Sequence, residues 1–244
     1  DIVTVFDILT RMKVAVFIPS RYGSTRLEAK PLADICGKPM VQWVYECASK
    51  AALADFVAVV TDDERIMKVV EGFGGRAIMT SPLHRSGTDR IAEAAAGVAA
   101  GIIVNLQGDE PLMEPGMVDE AIRPMLDDPS IAISTLKTRI TDEEEYTNPN
   151  AVKVVTALNG DALYFTRSPV PNIKGAFADG VAYKHIGLYV YRRDFLLKFP
   201  TLEATELELA ERLEQLRALE NGVSIRVVET AFNTIAVDTA EDLE

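Results

Sequence analysis

Short and almost wholly apolar runs recur along the first half of the chain, at residues 13–19, 56–61, 77–80 and 101–106. Apolar runs of this length are typical of strands that are buried on both faces of a sheet. Between them lie segments of helical composition, at residues 39–52, 62–71 and 89–100, and Asp62 is the expected cap of the second. Strands that alternate with helices at this spacing predict βαβ units and a parallel sheet.

The pattern changes after a further predicted helix at residues 116–126. Further strands are predicted at residues 131–137, 152–156, 162–166, 183–191 and 225–229. Asn159-Gly160 predicts a hairpin turn between two of these strands. A long helix is predicted over residues 202–221, with Asn221-Gly222 at its end and one leucine face formed by Leu209, Leu213, Leu216 and Leu219. We therefore expect one α/β domain whose second half adds antiparallel strands and a partner surface.

The first residues of the chain add nothing to this pattern. Residues 1–11 precede Met12 and are too short and too acidic for a secretory signal. Met12 is followed at once by a predicted strand. We expect a single domain over residues 12–244 and interpret residues 1–11 as an N-terminal extension, a misassigned start or a cloning remnant.

Composition restricts the classes of function. The net charge of -12 disfavours nucleic-acid binding, which needs a basic face to neutralise phosphates. No apolar run approaches the roughly 18 residues of a membrane-spanning helix, so no membrane insertion is expected. The two cysteines, Cys36 and Cys47, are too few for a disulfide framework and lack neighbours for a zinc site. We interpret both as packed thiols in a reducing cytoplasm.

The loop that follows the first predicted strand concentrates positive charge. Arg21, Arg26 and Lys30 lie in it with a single acid, Glu28. In open α/β sheets ligands bind beyond the carboxyl ends of the strands, so this loop is well placed for an anion such as a triphosphate. The loop lacks the glycine pattern of a Walker A or a dinucleotide motif. Phosphate binding would thus depend on side-chain cations, and a solvated loop is the alternative.

Two acids are candidates for a metal site. Asp109 follows the fourth predicted strand beside Gly108, and Asp238 lies near the C-terminus. Mg²⁺ prefers one or two carboxylates together with phosphate oxygens. A turn or helix-cap acid is the alternative for Asp109, and an ordinary helix N-cap is the alternative for Asp238.

Eight segments occur in one order along residues 12–244: IPSRYGSTRLEAKPL, HRSGTDR, NLQGDEP, NPNAVKVV, ALYFTRSPVP, KHIGLYVYRRDFL, LEQLRALENG and VDTAEDLE. Together they resemble the 3-deoxy-manno-octulosonate (Kdo) cytidylyltransferases, the CMP-Kdo synthetases of lipopolysaccharide synthesis. The first segment alone marks the wider group of sugar-activating nucleotidyltransferases, and here it carries Ser20 where alanine is commoner in the family. ALYFTRSPVP, KHIGLY and LEQLR are more specific to the Kdo enzymes.

The resemblance implies a three-layer α/β/α fold of the nucleotide-diphospho-sugar transferase type, with a mostly parallel central sheet and an antiparallel portion for dimerisation and sugar binding. It implies a homodimer that uses CTP, an acidic eight-carbon sugar and Mg²⁺. The positions that match nucleotide-binding residues are Pro19, Ser20, Arg21, Ser24, Arg26, Lys30, Arg85, Ser86 and Gln107. Those that match the magnesium carboxylates are Asp109 and Asp238, and those around the sugar are Arg167, His185, Tyr189, Glu214 and Gln215. The residues expected to act in catalysis are Arg21, Arg26, Lys30 and Asp109.

Residue chemistry supports several of these implied roles. Kdo carries a carboxylate, which an arginine such as Arg167 can bind through two parallel hydrogen bonds, although a strand-end ion pair is the alternative. For His185 the alternative is a core histidine. Glu214 and Gln215 flank the leucine face of the predicted helix, so they line a pocket edge or are solvated.

The implied reaction is attack of the anomeric hydroxyl of the sugar on the α-phosphorus of CTP, which gives CMP-Kdo and pyrophosphate. Such a reaction is catalysed chiefly by positioning and by charge stabilisation. We expect a metal at Asp109 and Asp238, rather than His185 as a base, to lower the pKa of the hydroxyl. The alternatives are 8-amino-Kdo or a sialic acid as acceptor, or a sugar-nucleotide-binding protein without activity. A Rossmann dehydrogenase is excluded because its glycine pattern is missing.

Overall fold

The computed structural model describes residues 13–23, 29–84, 86–174, 177, 181–234, 236–237, 239 and 241–243. Its strands in chain order are β1 (Val14–Ser20), β2 (Asp34–Ile35), β3 (Lys38–Pro39), β4 (Phe56–Thr61), β5 (Ala77–Met79), β6 (Ile102–Asn105), β7 (Ile133–Arg139), β8 (Lys153–Thr156), β9 (Ala162–Thr166), β10 (Tyr183–Arg192) and β11 (Ile225–Glu229). Its α-helices are α1 (Met40–Lys50), α2 (Glu64–Gly72), α3 (Gly87–Ala96), α4 (Pro115–Asp127), α5 (Glu143–Thr147), α6 (Arg193–Lys198), α7 (Glu206–Glu211) and α8 (Gln215–Glu220). Short 3-10 helices cover Lys30–Leu32, Phe199–Thr201 and Glu241–Leu243.

A mixed sheet forms the centre of the fold, with the strand order β11-β7-β10-β6-β1-β4-β5. β1 pairs in parallel with β4 and β6, and β4 with β5, whereas β10 runs antiparallel to both of its neighbours, β6 and β7. The carboxyl ends of β1, β4 and β6 therefore lie side by side at one edge. The predicted parallel sheet is confirmed.

Both faces of the sheet are covered, which explains the continuous apolar runs of the sequence. On β1, Val14, Val16 and Ile18 pack into one core with residues of α1, α2 and α4. Ala15 and Phe17 of the same strand pack into a second core with residues of α3, α6 and α8. Full burial of a valine or isoleucine side chain contributes about 1.5–3 kcal/mol to the stability of the fold, so the side chains on both faces of β1 stabilise its position. The three-layer α/β/α prediction is confirmed.

A hairpin adds the predicted antiparallel strands to the second half of the chain. β8 pairs with β9, and Lys153 of β8 lies opposite Lys184 of β10. Gly160 has a φ of 87°, which glycine adopts without steric cost, so the Asn159-Gly160 turn is confirmed within a loop between Thr156 and Ala162. The Lys153 side chain is fully buried and donates from Nζ to the carbonyl of Asn148 over 2.7 Å.

The single long helix predicted over residues 202–221 is wrong. Arg212 adopts a left-handed φ of 54° at the end of α7, and a separate helix, α8, begins at Gln215. This break turns Leu209 outward, where 67% of its surface is exposed, while Leu213 and Leu216 are buried. The predicted end is confirmed, since Gly222 follows α8 with a φ of 75°.

Helix starts differ from the sequence prediction at two places. Asp63, rather than Asp62, caps α2, because its Oδ1 accepts the backbone N–H of Arg65 at 2.8 Å. Asp62 instead accepts a hydrogen bond from the guanidinium of Arg90 at 2.6 Å. Helix α3 begins at Gly87, two residues earlier than predicted, with Ser86 as its cap.

The cysteine prediction is half right. Cys47 is buried and its thiol donates to the carbonyl of Met113 at 2.9 Å. Burial raises the pKa of this thiol to about 11. Cys36 is exposed, in the two-residue turn that joins β2 to β3, so its prediction as a packed thiol is wrong. None of the helices in the described part of the chain is long and apolar enough to span a bilayer.

Candidate functional site

The carboxyl ends of β1 and β6 meet at a close backbone approach. A Cβ atom on Gly108, just past β6, would lie 3.2 Å from the carbonyl oxygen of Pro19 and 3.2 Å from Oγ of Ser20. That spacing is tighter than an ordinary van der Waals contact, so glycine lets the two segments approach. The structure therefore brings the predicted residues Pro19 and Ser20 together with the segment that carries Gln107 and Asp109. Among the residues that the structure describes, the buried hydroxyl of Ser20 has no hydrogen-bond partner.

An ion pair joins the two segments. Nζ of Lys30 lies 2.7 Å from Oδ2 of Asp109, across 79 residues of sequence. Both side chains are largely buried, with 13% and 34% of their surface exposed, so solvent screens the pair less than a surface pair. Arg21 is exposed at the start of the same loop. Ser24 and Arg26 lie outside the described residues.

The stem of this cationic loop is closed by a backbone bond. The N–H of Ala29 donates to the carbonyl of Tyr22 at 3.1 Å. The guanidinium of Arg65 on α2 lies 3.3 Å from the centre of the Tyr22 ring, and Asp63 accepts two hydrogen bonds from that guanidinium. The two ends of the loop are thus anchored to α2.

One carboxylate oxygen of Asp109 is placed to bind a magnesium ion. Its Oδ2 faces Lys30, and among the described residues Oδ1 has no hydrogen-bond partner. The backbone N–H of Val237 donates to the carbonyl of Asp109 at 2.9 Å, which anchors the chain beside Asp109 one residue before Asp238. Asp238 itself lies outside the described residues. Across the part of the chain that the structure describes, no group of three or more His, Cys, Asp or Glu side chains is arranged to hold a metal ion.

The first turn of α3 borders the same edge of the sheet. Ser86 caps the helix by accepting the N–H of Asp89 at 3.1 Å, and a Cβ on Gly87 would lie 3.3 Å from the ring of Pro19. Arg90 holds this helix in place, because its guanidinium donates to Thr80 at 2.7 Å and to Asp62. The segment of Ser86 thus lies beside β1 as the nucleotide prediction requires. Arg85 is outside the described residues.

Strand β10 brings two residues predicted for the sugar next to those predicted for the nucleotide. Tyr189 is the register partner of Asn105 on β6, and Nε2 of Gln107 donates to Asn105 Oδ1 at 3.0 Å. The register of β10 against β7 shifts between Ile186 and Tyr189. This irregularity contains Gly187, whose added Cβ would lie 3.8 Å from the Gln107 side chain.

His185 is enclosed by aromatic rings and one hydroxyl. Its ring packs edge-on against Phe165 and tilted against Tyr189, and burial lowers its pKa to about 3. Its Nε2 lies 3.0 Å from Oγ1 of Thr135, whose hydroxyl donates to the carbonyl of Leu188 at 2.7 Å. With the Thr135 proton assigned to the Leu188 carbonyl, the neutral imidazole donates from Nε2 and Nδ1 is left as an acceptor. Sequence reasoning missed Thr135.

Arg167 is held by backbone carbonyls rather than by a carboxylate. Its Nε donates to the carbonyl of Glu211 at 2.8 Å, and Nη1 donates to the carbonyl of Pro149 at 3.0 Å. The carboxylate of Glu211 is occupied by the hydroxyl of Thr166 and the backbone N–H of Arg167. Among the described residues no carboxylate forms an ion pair with the guanidinium, which argues against the strand-end ion pair. Sequence reasoning missed Glu211.

Glu214 and Gln215 lie at the start of α8 rather than within a longer helix. Gln215 is buried, and Glu214 accepts a hydrogen bond from the hydroxyl of Thr88 on α3. Burial raises the pKa of Glu214, while hydrogen bonds from Thr88 and Ser86 and the charge of Arg217 oppose that rise. The alternative of two solvated side chains is therefore excluded. No motif in the sequence pointed to Thr88 as the contact of Glu214.

Comparisons with known proteins find relatives of this chain in both sequence and fold. The sequence profile of the family described as cytidylyltransferase matches residues 15–225. The 3-deoxy-manno-octulosonate cytidylyltransferase of Geobacter metallireducens is 58% identical over 96% of each chain. A solved CMP:2-keto-3-deoxy-manno-octonic acid synthetase in complex with CTP superposes with a TM-score of 0.90, at 47% identity over 95% of each chain. A 4-diphosphocytidyl-2C-methyl-D-erythritol synthase of Anaerococcus prevotii, at 13% identity and a TM-score of 0.61, shares the fold.

Proposed function

This chain belongs to the 3-deoxy-manno-octulosonate cytidylyltransferases within the cytidylyltransferase family, and we propose that it transfers CMP from CTP to the anomeric hydroxyl of Kdo, giving CMP-Kdo and pyrophosphate. One observation supports this proposal most strongly. The Lys30 ammonium and the Asp109 carboxylate meet at the carboxyl edge of the sheet, from segments 79 residues apart. A phosphate-binding cation beside a metal-binding carboxylate is the minimum that nucleotidyl transfer needs.

The nucleotide side of the site comprises residues around the ends of β1 and β6 and the start of α3. In this role Arg21, Arg26 and Lys30 neutralise the triphosphate and align its α-phosphorus. We propose that the cytosine base and the ribose of CTP are contacted by Pro19, Ser20, Ser24, Arg85, Ser86 and Gln107. The closed stem at Tyr22 and Ala29 supports this assignment, because an anchored loop loses less entropy when it binds an anion.

Asp109 and Asp238 are the proposed holders of Mg²⁺. Carboxylate oxygens suit this ion, and the Val237–Asp109 backbone bond supports their pairing. When bound, the ion would stabilise negative charge on the phosphate oxygens and lower the pKa of a nearby hydroxyl. Lys30 holds Asp109 by one oxygen and so fixes the direction of the other.

The sugar side of the site comprises Arg167, His185, Tyr189, Glu214 and Gln215. Backbone carbonyls occupy three of the five N–H donors of the Arg167 side chain, so two remain for the carboxylate of Kdo. Nδ1 of His185 is suited to accept a hydrogen bond from a sugar hydroxyl. With a pKa of about 3 its imidazole is too weak a base to take the proton of the nucleophile near pH 7.

We further propose a cytoplasmic homodimer that acts in lipopolysaccharide synthesis. Both cysteines are free thiols, which suits a reducing compartment where CTP is available. The second half of the chain carries several exposed large apolar side chains, namely Leu158, Leu163, Val181, Leu207 and Leu209. Exposed apolar surface of this kind is typical of an interface. Light scattering at micromolar concentration would give twice the monomer mass of 26.7 kDa if this is correct.

The deciding experiment is pyrophosphate release from CTP and Mg²⁺, with Kdo, 8-amino-Kdo and a sialic acid compared side by side. We expect release with Kdo and CMP-Kdo as the product. Preferential release with 8-amino-Kdo or the sialic acid would move the proposal to that acceptor. No release with any of the three would overturn it.

A further inference from the structure

Thr88 connects the two sides of the candidate site. It lies in the first turn of α3, is 4% exposed, and donates from Oγ1 to Oε2 of Glu214, 126 residues away. The turn that holds Thr88 begins at Ser86, on the nucleotide side. Glu214 belongs to the sugar side. Neither of the two roles assigned above uses the Thr88 hydroxyl itself.

The contact lies beside other buried groups of the sugar side. Tyr191 on β10 is buried near Glu214, and burial, with a smaller contribution from the charge of Glu214, raises the pKa of its phenol. Arg217 lies 3.9 Å from Glu214, but its guanidinium is already bonded to both carboxylate oxygens of Glu208. The hydrogen bond from Thr88 is therefore the closer contact of the Glu214 carboxylate, and Arg217 is a more distant ion-pair partner at 3.9 Å.

We propose that Thr88 is a positioning residue that aims the Glu214 carboxylate at the sugar acceptor and couples it to the nucleotide-binding turn of α3. The inference rests on the proposed function, because Glu214 acts on the sugar only if a sugar is bound. Ser86, Gly87 and Thr88 share one turn, and Gly87 packs against Pro19 at the end of β1. A nucleotide that orders this turn would also fix Glu214. Coupling of this kind is reciprocal, so CTP and the sugar should each strengthen binding of the other.

The pH dependence of sugar binding gives this role a signature. The groups that face Glu214 are Arg217, Asp89, Tyr189 and Tyr191. Burial raises the pKa of Glu214, and the Thr88 hydrogen bond opposes that rise. If the ionised carboxylate accepts from sugar hydroxyls, sugar binding weakens as the pH falls through this raised pKa. Loss of the Thr88 hydroxyl would raise the pKa further and move the acidic limb of the profile to higher pH.

The test compares Thr88→Val, which keeps the shape but removes the hydroxyl, with Thr88→Ser, which keeps the hydroxyl. We expect Thr88→Val to raise the KM for Kdo about tenfold, since hydrogen bonds to charged groups are worth more than neutral ones. Binding of CTP alone, measured by calorimetry, should change less than about twofold, a factor far below the effect of such a bond. The acidic limb of kcat/KM for Kdo should move to higher pH, and Thr88→Ser should restore both.

Ser134→Ala is the matched control, because it removes a buried hydroxyl that donates to the carbonyl of Ala121, away from Glu214. It should leave the KM for Kdo and the pH profile unchanged. Equal losses for CTP and Kdo in Thr88→Val, or an unmoved acidic limb, would overturn the positioning role. So would failure of Thr88→Ser to restore activity while it folds normally.

A second measurement separates this inference from the proposed function. If the wild-type protein releases no pyrophosphate with any acceptor, the proposed function fails and the kinetic test does not apply. The carboxyl of Glu214 can then be titrated by NMR with labelled glutamate, with Glu214→Gln to assign the signal. A higher pKa in Thr88→Val than in the wild type would support the contact, and equal pKa values would overturn it.

Discussion

On the nucleotide side of the candidate site the described charged groups lie on loops that follow strand ends, whereas on the sugar side the polar groups lie on strands and at the start of a helix. Arg21 is exposed, and Lys30 and Asp109 keep part of their surface in water. On the sugar side burial shifts the pKa of His185 down and those of Glu214 and Tyr189 up. Burial therefore favours the uncharged form of each of these three groups.

The difference matches the chemistry proposed for each side. A triphosphate with a metal ion carries high charge, and charged side chains that are held in place before the reaction can stabilise the charge that develops on the phosphate oxygens. A sugar offers hydroxyls and a single carboxylate, and neutral donors and acceptors in fixed positions can distinguish it from similar sugars. The nucleotide side would therefore determine turnover, and the sugar side would determine the choice of acceptor.

Asp109→Asn should produce the largest effect and tests the nucleotide side. We expect kcat to fall at least about a hundredfold, because loss of a charge-stabilising group at the reacting phosphate costs roughly this much. The KM for Kdo and the binding of CTP measured by calorimetry should change far less. Steady-state kinetics would test this expectation. Asp127→Asn, a change at an exposed acid, is the control. Near-normal turnover in Asp109→Asn would contradict the assignment of this carboxylate to the metal.

The meeting of Lys30 and Asp109 was predictable because both residues lie in segments that follow strand ends. The apolar run of β1 and the position of Asp109 after β6 placed Lys30 and Asp109 at one edge, although they are 79 residues apart. Parallel strands in an open sheet bring their carboxyl ends together whatever the sequence between them. The rule needs only the start and end of each strand, which apolar runs indicate well.

The sugar side was less predictable because it depends on contacts between distant elements. The Thr135–His185 bond requires the register shift in β10, and the Thr88–Glu214 bond requires a break in the predicted long helix. That break occurs at Arg212, a residue with good helix propensity that adopts a left-handed φ of 54°. Such a conformation is uncommon in residues other than glycine, so no local sequence pattern predicts it. The resemblance supplied Glu214 and His185 but none of their contacts.

Arg167→Lys should give the next largest effect and tests the sugar side. A lysine keeps the charge but cannot present two parallel donors or reproduce the bonds to Glu211 and Pro149. We expect the KM for Kdo to rise about tenfold, the cost of one charge-assisted hydrogen bond. The KM for CTP should stay unchanged. Arg123→Lys, on the exposed face of α4, is the control, and an equal rise in both KM values would argue against a role in sugar recognition.

The smallest effect concerns stability and tests whether the sugar side is as enclosed as the structure indicates. The pKa of His185 falls from 6.5 to about 3 on folding, so the unfolded chain binds a proton that the folded chain refuses. The free energy of unfolding should therefore decrease as the pH falls below 6.5 toward 3. Since the ring is only half-buried by surface area, we expect a loss of about 1 kcal/mol between roughly pH 7 and 5.

Urea unfolding at several pH values checks this, with His185→Gln compared with His84→Gln, a change at the only other histidine. His185→Gln should flatten the pH dependence, because glutamine does not titrate. His84 contacts Glu93 near the surface, so His84→Gln should keep the slope of the wild type. A slope that survives in His185→Gln would mean that the imidazole takes up its proton in the folded chain. The sugar side would then be open to water and would share the charged character of the nucleotide side.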